Sequence, residues 1–100
     1  MRLIIRPEAE ADLAQAYTWY EQQRTGLGRE FLEEVSRCLQ SIEQRPQSFA
    51  RVDDLTRRAI VHRFPYAMFF VVGTEAISVV AAFHMARHPD ALSLRLGPVA

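Results

Sequence analysis

The sequence predicts an α+β fold with two layers, in which a helical hairpin packs on a mainly antiparallel sheet in the order β-α-α-β-β-β. Two observations lead to this prediction. The first half of the 100-residue chain holds two long stretches with apolar residues at helical spacing. The second half holds three apolar runs rich in β-branched and aromatic residues, which is typical of strands. The length suits one core, so residues 1–100 are predicted to form a single domain.

Proline and glycine mark the ends of the two predicted helices. A short strand at residues 3–5 is followed by Pro7, which suits the first turn of a helix because its missing N–H is not needed there. This helix is expected to run to about residue 23. The second is expected from about Gly28 to Arg45, where the next proline ends it. Because only a few residues separate the two helices, they should pack antiparallel.

The three predicted strands of the second half are residues 57–63, 66–72 and 76–83. The middle strand is apolar on both faces, a pattern typical of a central strand whose faces are both covered. The helices can cover only one face of the sheet. The other face is therefore predicted to be shielded by the C-terminal tail or by a partner. Residues 46–56, between the second helix and these strands, are predicted to form a loop.

Two single residues carry predictions about burial. Cys38 lies on the apolar stripe of the second helix, so it is predicted to be a small buried hydrophobe rather than a reactive thiol. Trp19 lies about one position off the apolar face of the first helix. It is predicted to be a shoulder of the core, with an exposed contact for a partner as the alternative.

Composition narrows the classes of function. The net charge is zero, all 12 basic side chains are Arg, and there is a single Cys. A neutral chain is a weak candidate for binding nucleic acid by charge, so sequence-specific DNA binding by this chain alone is not expected. The N-terminal apolar run is too short for a signal peptide and no window is long enough to span a membrane, which predicts a cytoplasmic protein without a membrane partner. No cofactor is predicted, and no metal site, since His84 and His88 lack a neighbouring acid at ligand spacing.

Four short motifs follow one another along the chain. They are A-x-x-D-L at residues 9–13, G-x-x-F-L at residues 28–32, R-x-x-x-x-x-F-P-Y at residues 58–66 and H-x-x-R-x-P at residues 84–89. None is specific alone, but together, in this order and spacing, they resemble the RelE/ParE superfamily of bacterial toxins. The resemblance implies the toxin of a type II toxin–antitoxin system, which a cognate antitoxin neutralises.

The superfamily has two branches with different activities. ParE-like members block DNA gyrase, and RelE-like members are ribosome-dependent endoribonucleases that cut mRNA. The F-P-Y and H-x-x-R-x-P motifs resemble the ParE branch, although Leu92 replaces the Trp that is usual there. The resemblance therefore implies a toxin that inhibits gyrase by binding and is not a hydrolytic enzyme.

Three absences count against the ribonuclease alternative. RNA cleavage needs a base, an acid and cations, and RelE-like enzymes use Lys, Arg and often a Tyr near the C-terminus. This chain has no Lys, carries Ala67 where that branch tends to carry Arg, and has no Tyr after Tyr66. If the chain is a ribonuclease, its catalytic candidates are His84, Arg87 and His88. A third alternative is an inactive family member that only binds an antitoxin.

The predicted contact residues lie mainly on the strands and the tail of the second half. Contact with the target, which is gyrase or alternatively the ribosome with its mRNA, is predicted for Arg58, His84, Arg87 and Arg95. An antitoxin segment is expected to cross the groove of the helical hairpin and to add to the sheet. Contact with this antitoxin is predicted for Trp19, Tyr20, Phe69 and Val71.

Overall fold

The computed structural model describes residues 1–87 and 90–97 and confirms the predicted α+β architecture. Its elements are β1 (Arg2–Ile5), α1 (Pro7–Gln23), α2 (Leu27–Gln44), a 3-10 turn (Pro46–Ser48), β2 (Thr56–Ile60), β3 (Tyr66–Val72), β4 (Ala76–His84) and α3 (Ala91–Leu96). The predicted bounds agree with these to within three residues. The short helix α3 is absent from the predicted order.

The sheet has the strand order β1-β4-β3-β2 and is mainly antiparallel, as predicted. β3 lies between β2 and β4 and runs antiparallel to both. β1 runs parallel to β4 and pairs with it from Arg2, opposite Ala76, to Ile5, opposite Val79. Because β4 continues to His84, its last residues have no strand beside them on that edge.

An aromatic cluster joins the helices to the sheet. Phe31 of α2 is fully buried, and its ring centroid lies within 5.3 Å of the centroids of Tyr20, Phe64 and Tyr66. Tilted and edge-to-face aromatic pairs of this kind stabilise a core beyond the area that they bury. The F-P-Y motif therefore supplies two rings to the core, and the G-x-x-F-L motif supplies the ring at its centre.

The helical hairpin is closely packed at the start of α2. A Cβ on Gly28 would lie 2.8 Å from the ring and from the carbonyl oxygen of Tyr17, so the close approach of the two helices requires glycine there. The carboxylate of Glu21 accepts hydrogen bonds from the N–H groups of Gly26 and Gly28 at 2.9 and 3.0 Å. A negative charge at this end of α2 also complements the helix dipole, so Glu21 caps α2.

Local contacts hold the predicted loop, residues 46–56. The ring of Phe49 packs edge-on against that of Phe70, with the centroids 5.7 Å apart. Asp53 accepts hydrogen bonds from the N–H groups of Leu55 and Thr56 at 2.9 and 2.7 Å, which turns the chain into β2. The loop thereby follows the sheet closely up to the start of β2.

The two predictions about single residues have different outcomes. Cys38 is buried in the core, as predicted. Trp19 was expected to be a shoulder of the core, but 56% of its surface is exposed. Because Trp19 lies one position off the apolar face of α1, its ring points away from the sheet. Its only aromatic neighbour among the described residues is Tyr20, at a centroid distance of 5.1 Å. The alternative, an exposed side chain, is therefore the correct one.

Burial of Cys38 predicts a specific dependence of stability on pH. Burial raises the pKa of the thiol from about 9 to about 11. Between these two values the unfolded chain loses the thiol proton while the native chain keeps it, so the free energy of unfolding falls as pH rises. At about 1.4 kcal/mol per pKa unit, we expect the free energy of unfolding to fall by about 2 kcal/mol more between pH 8 and pH 10.5 than it does in Cys38→Ala. Urea unfolding of both proteins at pH 8 and pH 10.5 measures it, and parallel pH dependences would contradict the prediction.

Candidate functional site

A groove of about 640 Å³ opens on the face of the sheet that is turned away from α1 and α2. We call it the sheet groove. Its floor is apolar and consists of Ala67, Phe69 and Phe83, while its rim carries the polar side chains. The other lining residues are Val52, Asp53, Arg58, His84, Met85, Ala86, Arg87, Leu92 and Ser93. Three of the four residues that the sequence predicts to contact the target, Arg58, His84 and Arg87, thus lie around one groove.

The register of the strands explains why these residues share a face. Arg58 of β2 pairs with Phe69 of β3, which pairs with Ala81 of β4. Residues that are directly opposite in neighbouring strands point to the same face of a sheet. Met68 and Phe70, on either side of Phe69, point the other way and are fully buried under the helices. β3 is therefore apolar on both faces because one face belongs to the core and the other to the groove.

Arg87 lies at the rim of the sheet groove, directly over an aromatic ring. Its guanidinium carbon is 4.2 Å from the ring centroid of Phe83, a cation–π contact. The backbone N–H of Arg87 donates to the carbonyl oxygen of His84 at 2.9 Å, which closes a tight turn after β4. Among residues 1–87 and 90–97, neither Arg87 nor Arg58 forms an ion pair with a carboxylate. Two exposed guanidinium groups therefore line one groove, and neither has an ion-pair partner among the described residues.

His84, at the end of β4, has one ring nitrogen engaged by the same turn. Its Nδ1 accepts a hydrogen bond from the N–H of Ala86 at 3.0 Å, and its ring lies edge-on to that of Tyr66 at a centroid distance of 5.3 Å. A neutral imidazole whose Nδ1 is an acceptor carries its proton on Nε2. In this arrangement His84 offers a hydrogen-bond donor at its second nitrogen.

A smaller groove of about 250 Å³ lies on the helix side of the same turn. We call it the helix groove. Its walls include Asp12 and Trp19 of α1, and it shares His84 and Arg87 with the sheet groove. The exposed Trp19, predicted to contact an antitoxin, therefore lies on one continuous surface with two residues predicted to contact the target.

Two predicted contact residues have little free surface. Arg95 does not line the sheet groove, because its guanidinium forms two hydrogen bonds to the carboxylate of Asp12, at 2.9 and 3.0 Å. The hydrogen bond to Asp12 also raises the pKa of Arg95 above its usual value. Tyr20 is 7% exposed and belongs to the aromatic cluster of the core. Arg95 thus has a structural task, and Tyr20 lies beneath the surface that it was predicted to form.

The remaining predictions concern the sheet face and the tail. Val71 is half-buried and follows Phe69 by two positions on the same face of β3. His88 lies outside the described residues, so its role stays a prediction. Within the described ranges, no group of three or more His, Cys, Asp or Glu side chains is placed to hold a metal ion. In the same part of the chain, no helix is both long enough and apolar enough to cross a membrane.

Comparison with known proteins relates this arrangement to a family. A model of the ParE toxin of type II toxin–antitoxin systems (parDE) matches residues 3–89. The chain belongs to the ParE toxin family. It is therefore a toxin of the type that the four motifs implied. In the structure of a "Chromosomal ParDE TA system from P. aeruginosa", a chain with 18% identity aligns with a TM-score of 0.76 over 84% of this chain and 95% of that chain, which shows a shared fold. Among curated proteins, none matches this sequence.

Two residues at the grooves of this ParE toxin are missing from the sequence-based prediction. Phe83 forms part of the floor, and the alternation along β4 would have placed it on the same face as Ala81. Asp12 stands in the A-x-x-D-L motif, but nothing local in the sequence indicates its partner, which is 83 residues away. Contacts of this kind depend on how the chain ends come together and have no local signal.

Proposed function

We propose that this ParE toxin inhibits DNA gyrase by binding it through the sheet groove, in the cytoplasm and without hydrolytic chemistry. The observation that carries the proposal is the pair Arg58 and Arg87, whose exposed guanidinium groups flank an apolar floor and form no ion pair with the described residues. Arg and aromatic side chains contribute most of the binding energy at protein interfaces. The groove therefore suits a protein target that offers carboxylates beside an apolar side chain.

The polar groups of the groove favour binding over proton transfer. To act as a base, His84 would have to give up the hydrogen bond from the N–H of Ala86. Hydrogen bonds from two backbone N–H groups hold the pKa of Asp53 below its usual value, which makes this carboxylate a weak base. Ala67, at the position where the ribonuclease branch tends to carry Arg, is a buried part of the floor. The ribonuclease alternative thus lacks an evident acid–base pair among the described residues of the groove.

A cognate antitoxin is the second partner that we propose. The structural neighbour is part of a ParDE TA system, which supports such a partner for this chain. Trp19 is largely exposed, and Phe69 and Val71 are half-buried on the sheet face. An antitoxin segment that crosses the helix groove and continues onto the sheet would bury all three side chains. By covering Arg87 on the way, it would also block the sheet groove.

A supercoiling assay with purified toxin and gyrase tests the proposal. We expect inhibition at a near-stoichiometric ratio, and we expect prior addition of the antitoxin from the neighbouring gene to relieve it. The same toxin added to translating ribosomes should give no new mRNA ends in primer extension. Unaffected supercoiling at a molar excess of toxin would contradict the proposal, and mRNA cleavage would then support the ribonuclease alternative. If induction without antitoxin leaves growth normal, the chain is an inactive member.

A further inference from the structure

We propose that Asp12 is a positioning residue for the sheet groove. Asp12 acts through Arg95 and thereby sets the placement of α3 and of Arg87. The proposal rests on the proposed function only in naming gyrase inhibition as its consequence. The positions of the side chains themselves can be measured without any target.

β4 has an open edge beyond its pairing with β1. Pairing with β1 stops at Val79, so the backbone groups that follow have no strand on that side. Two side chains take its place: Asp12 Oδ2 accepts a hydrogen bond from the N–H of Ala82 at 3.0 Å, and Arg95 Nη1 donates to the carbonyl oxygen of Val80 at 3.2 Å. Unpaired backbone groups at a sheet edge are unfavourable when water is excluded. Asp12 and Arg95 thus complete the edge where β1 ends.

α3 is attached to the rest of the fold by the ion pair between Arg95 and Asp12. α3 has six residues, none of them buried, and Leu94 on it is 80% exposed. Apolar burial therefore contributes little to holding this helix in place. The ion pair between Asp12 and Arg95 is, in contrast, well shielded, with side-chain exposures of 9% and 20%. A two-pronged contact between an arginine and a carboxylate is strong and geometrically specific. Asp12 is therefore the main anchor of α3 among the described residues.

Arg87 and Arg95 share one aromatic neighbour, Phe83. The guanidinium carbons of Arg87 and Arg95 lie 4.2 and 5.0 Å from the centroid of one ring, that of Phe83. The two guanidinium carbons are therefore at most about 9 Å apart, and like charges at such a distance repel unless a negative charge compensates them. Asp12 supplies that charge to Arg95 and also shares the helix groove with Arg87. Without Asp12, we expect repulsion to move Arg87 away from Phe83, and the groove then loses the aligned cation on its rim.

Asp12→Asn tests this inference, because Asn can still accept the hydrogen bond from Ala82 but carries no charge for Arg95. The ring current of Phe83 should shift the δ-methylene protons of Arg87 upfield in the wild-type NMR spectrum. We expect Asp12→Asn to abolish this shift and to weaken gyrase inhibition on the order of tenfold, as loss of a charge-assisted hydrogen bond predicts. Glu10→Gln removes the same charge from an exposed site on α1 and should change neither quantity.

Each outcome decides the proposal. Wild-type shifts of Arg87 together with wild-type inhibition in Asp12→Asn would overturn it. If Asp12→Asn does not fold, Arg95→Gln replaces it, because Asp12 can then still accept the hydrogen bond from Ala82 while the ion pair and the second cation are both lost. We expect α3 to lose its anchor, seen as faster amide exchange of Gly97, whose N–H bonds to Ser93 within α3, while Arg87 keeps its upfield shift. Unchanged exchange of Gly97, or loss of the Arg87 shift, overturns the proposal. If wild-type toxin leaves gyrase unaffected, the proposed function fails, but the NMR comparison still decides whether Asp12 positions Arg87.

Discussion

Replacing Arg87 with alanine is expected to weaken inhibition of gyrase supercoiling on the order of a hundredfold, which corresponds to the ~2–4 kcal/mol of an arginine at the centre of an interface. Arg87 borders both grooves and stacks on Phe83, and no carboxylate of the described residues pairs with it. Its guanidinium is therefore oriented in advance for a target carboxylate and does not have to break an ion pair to bind it. Dose–response curves of supercoiling inhibition measure the change.

Two variants separate the role of Arg87 from a general effect of charge or folding. Arg87→Lys keeps the positive charge but loses the planar group that stacks on Phe83, so an intermediate potency is expected. Arg29→Ala removes an equal charge from α2, where the side chain is 84% exposed, and should inhibit like the wild type. The thermal stability of Arg87→Ala should stay close to that of the wild type, since an exposed cation–π contact is weak. Wild-type potency of Arg87→Ala would exclude the sheet groove as the gyrase site.

The largest loss of stability is expected for Phe31→Ala, at about 3–5 kcal/mol. Phe31 is fully buried, and its ring contacts the rings of Tyr20, Phe64 and Tyr66, which come from α1, the β2–β3 turn and β3. Its removal leaves a cavity between the two layers that these surrounding elements cannot easily close. For a chain of 100 residues, such a loss is a large part of the whole free energy of unfolding. Urea unfolding followed by circular dichroism measures it.

The next residue in the same motif provides the matched control. Leu32 is 40% exposed on the outer side of α2, so Leu32→Ala should change stability by no more than about 1 kcal/mol. Similar losses in the two variants would mean that the aromatic cluster does not hold the layers together. Where Phe31→Ala remains folded at low temperature, it should still inhibit gyrase, because Phe31 does not line either groove.

The parts of the fold that local sequence patterns determine were predictable. Pro7 and the glycines around residue 27 bound α1 and α2, and the apolar runs match β3 and β4. Arg58, His84 and Arg87 were also predicted to act together, and the strand register brings them around one groove. The element boundaries have their signal in neighbouring residues along the chain, whereas the three groove residues were singled out through the motifs that resemble the family.

The parts that depend on distant pairing were not predictable. α3 is held chiefly by an ion pair to Asp12, and its own sequence is too short and too exposed for a helical pattern to stand out. Arg95 was predicted to contact the target. Nothing near it in the sequence indicates that its partner is Asp12. Trp19 is exposed because it lies one residue off the apolar face of α1. A pattern of apolar residues does not locate the edge of such a face to within one residue.

The parallel pairing of β1 with β4 has a consequence for how the toxin is made. β1 is the first element and β4 the last strand, so residues near position 3 can find their partners only after residues near position 77 have been synthesised. The Asp12–Arg95 pair closes an even longer loop of 83 residues. Contacts between distant parts of a chain form late, because the loop-closure entropy has to be overcome first. We therefore expect a ribosome-bound chain that lacks β4 to hold only contacts between neighbouring elements, such as the helical hairpin, and the sheet to be completed only after β4 has been synthesised.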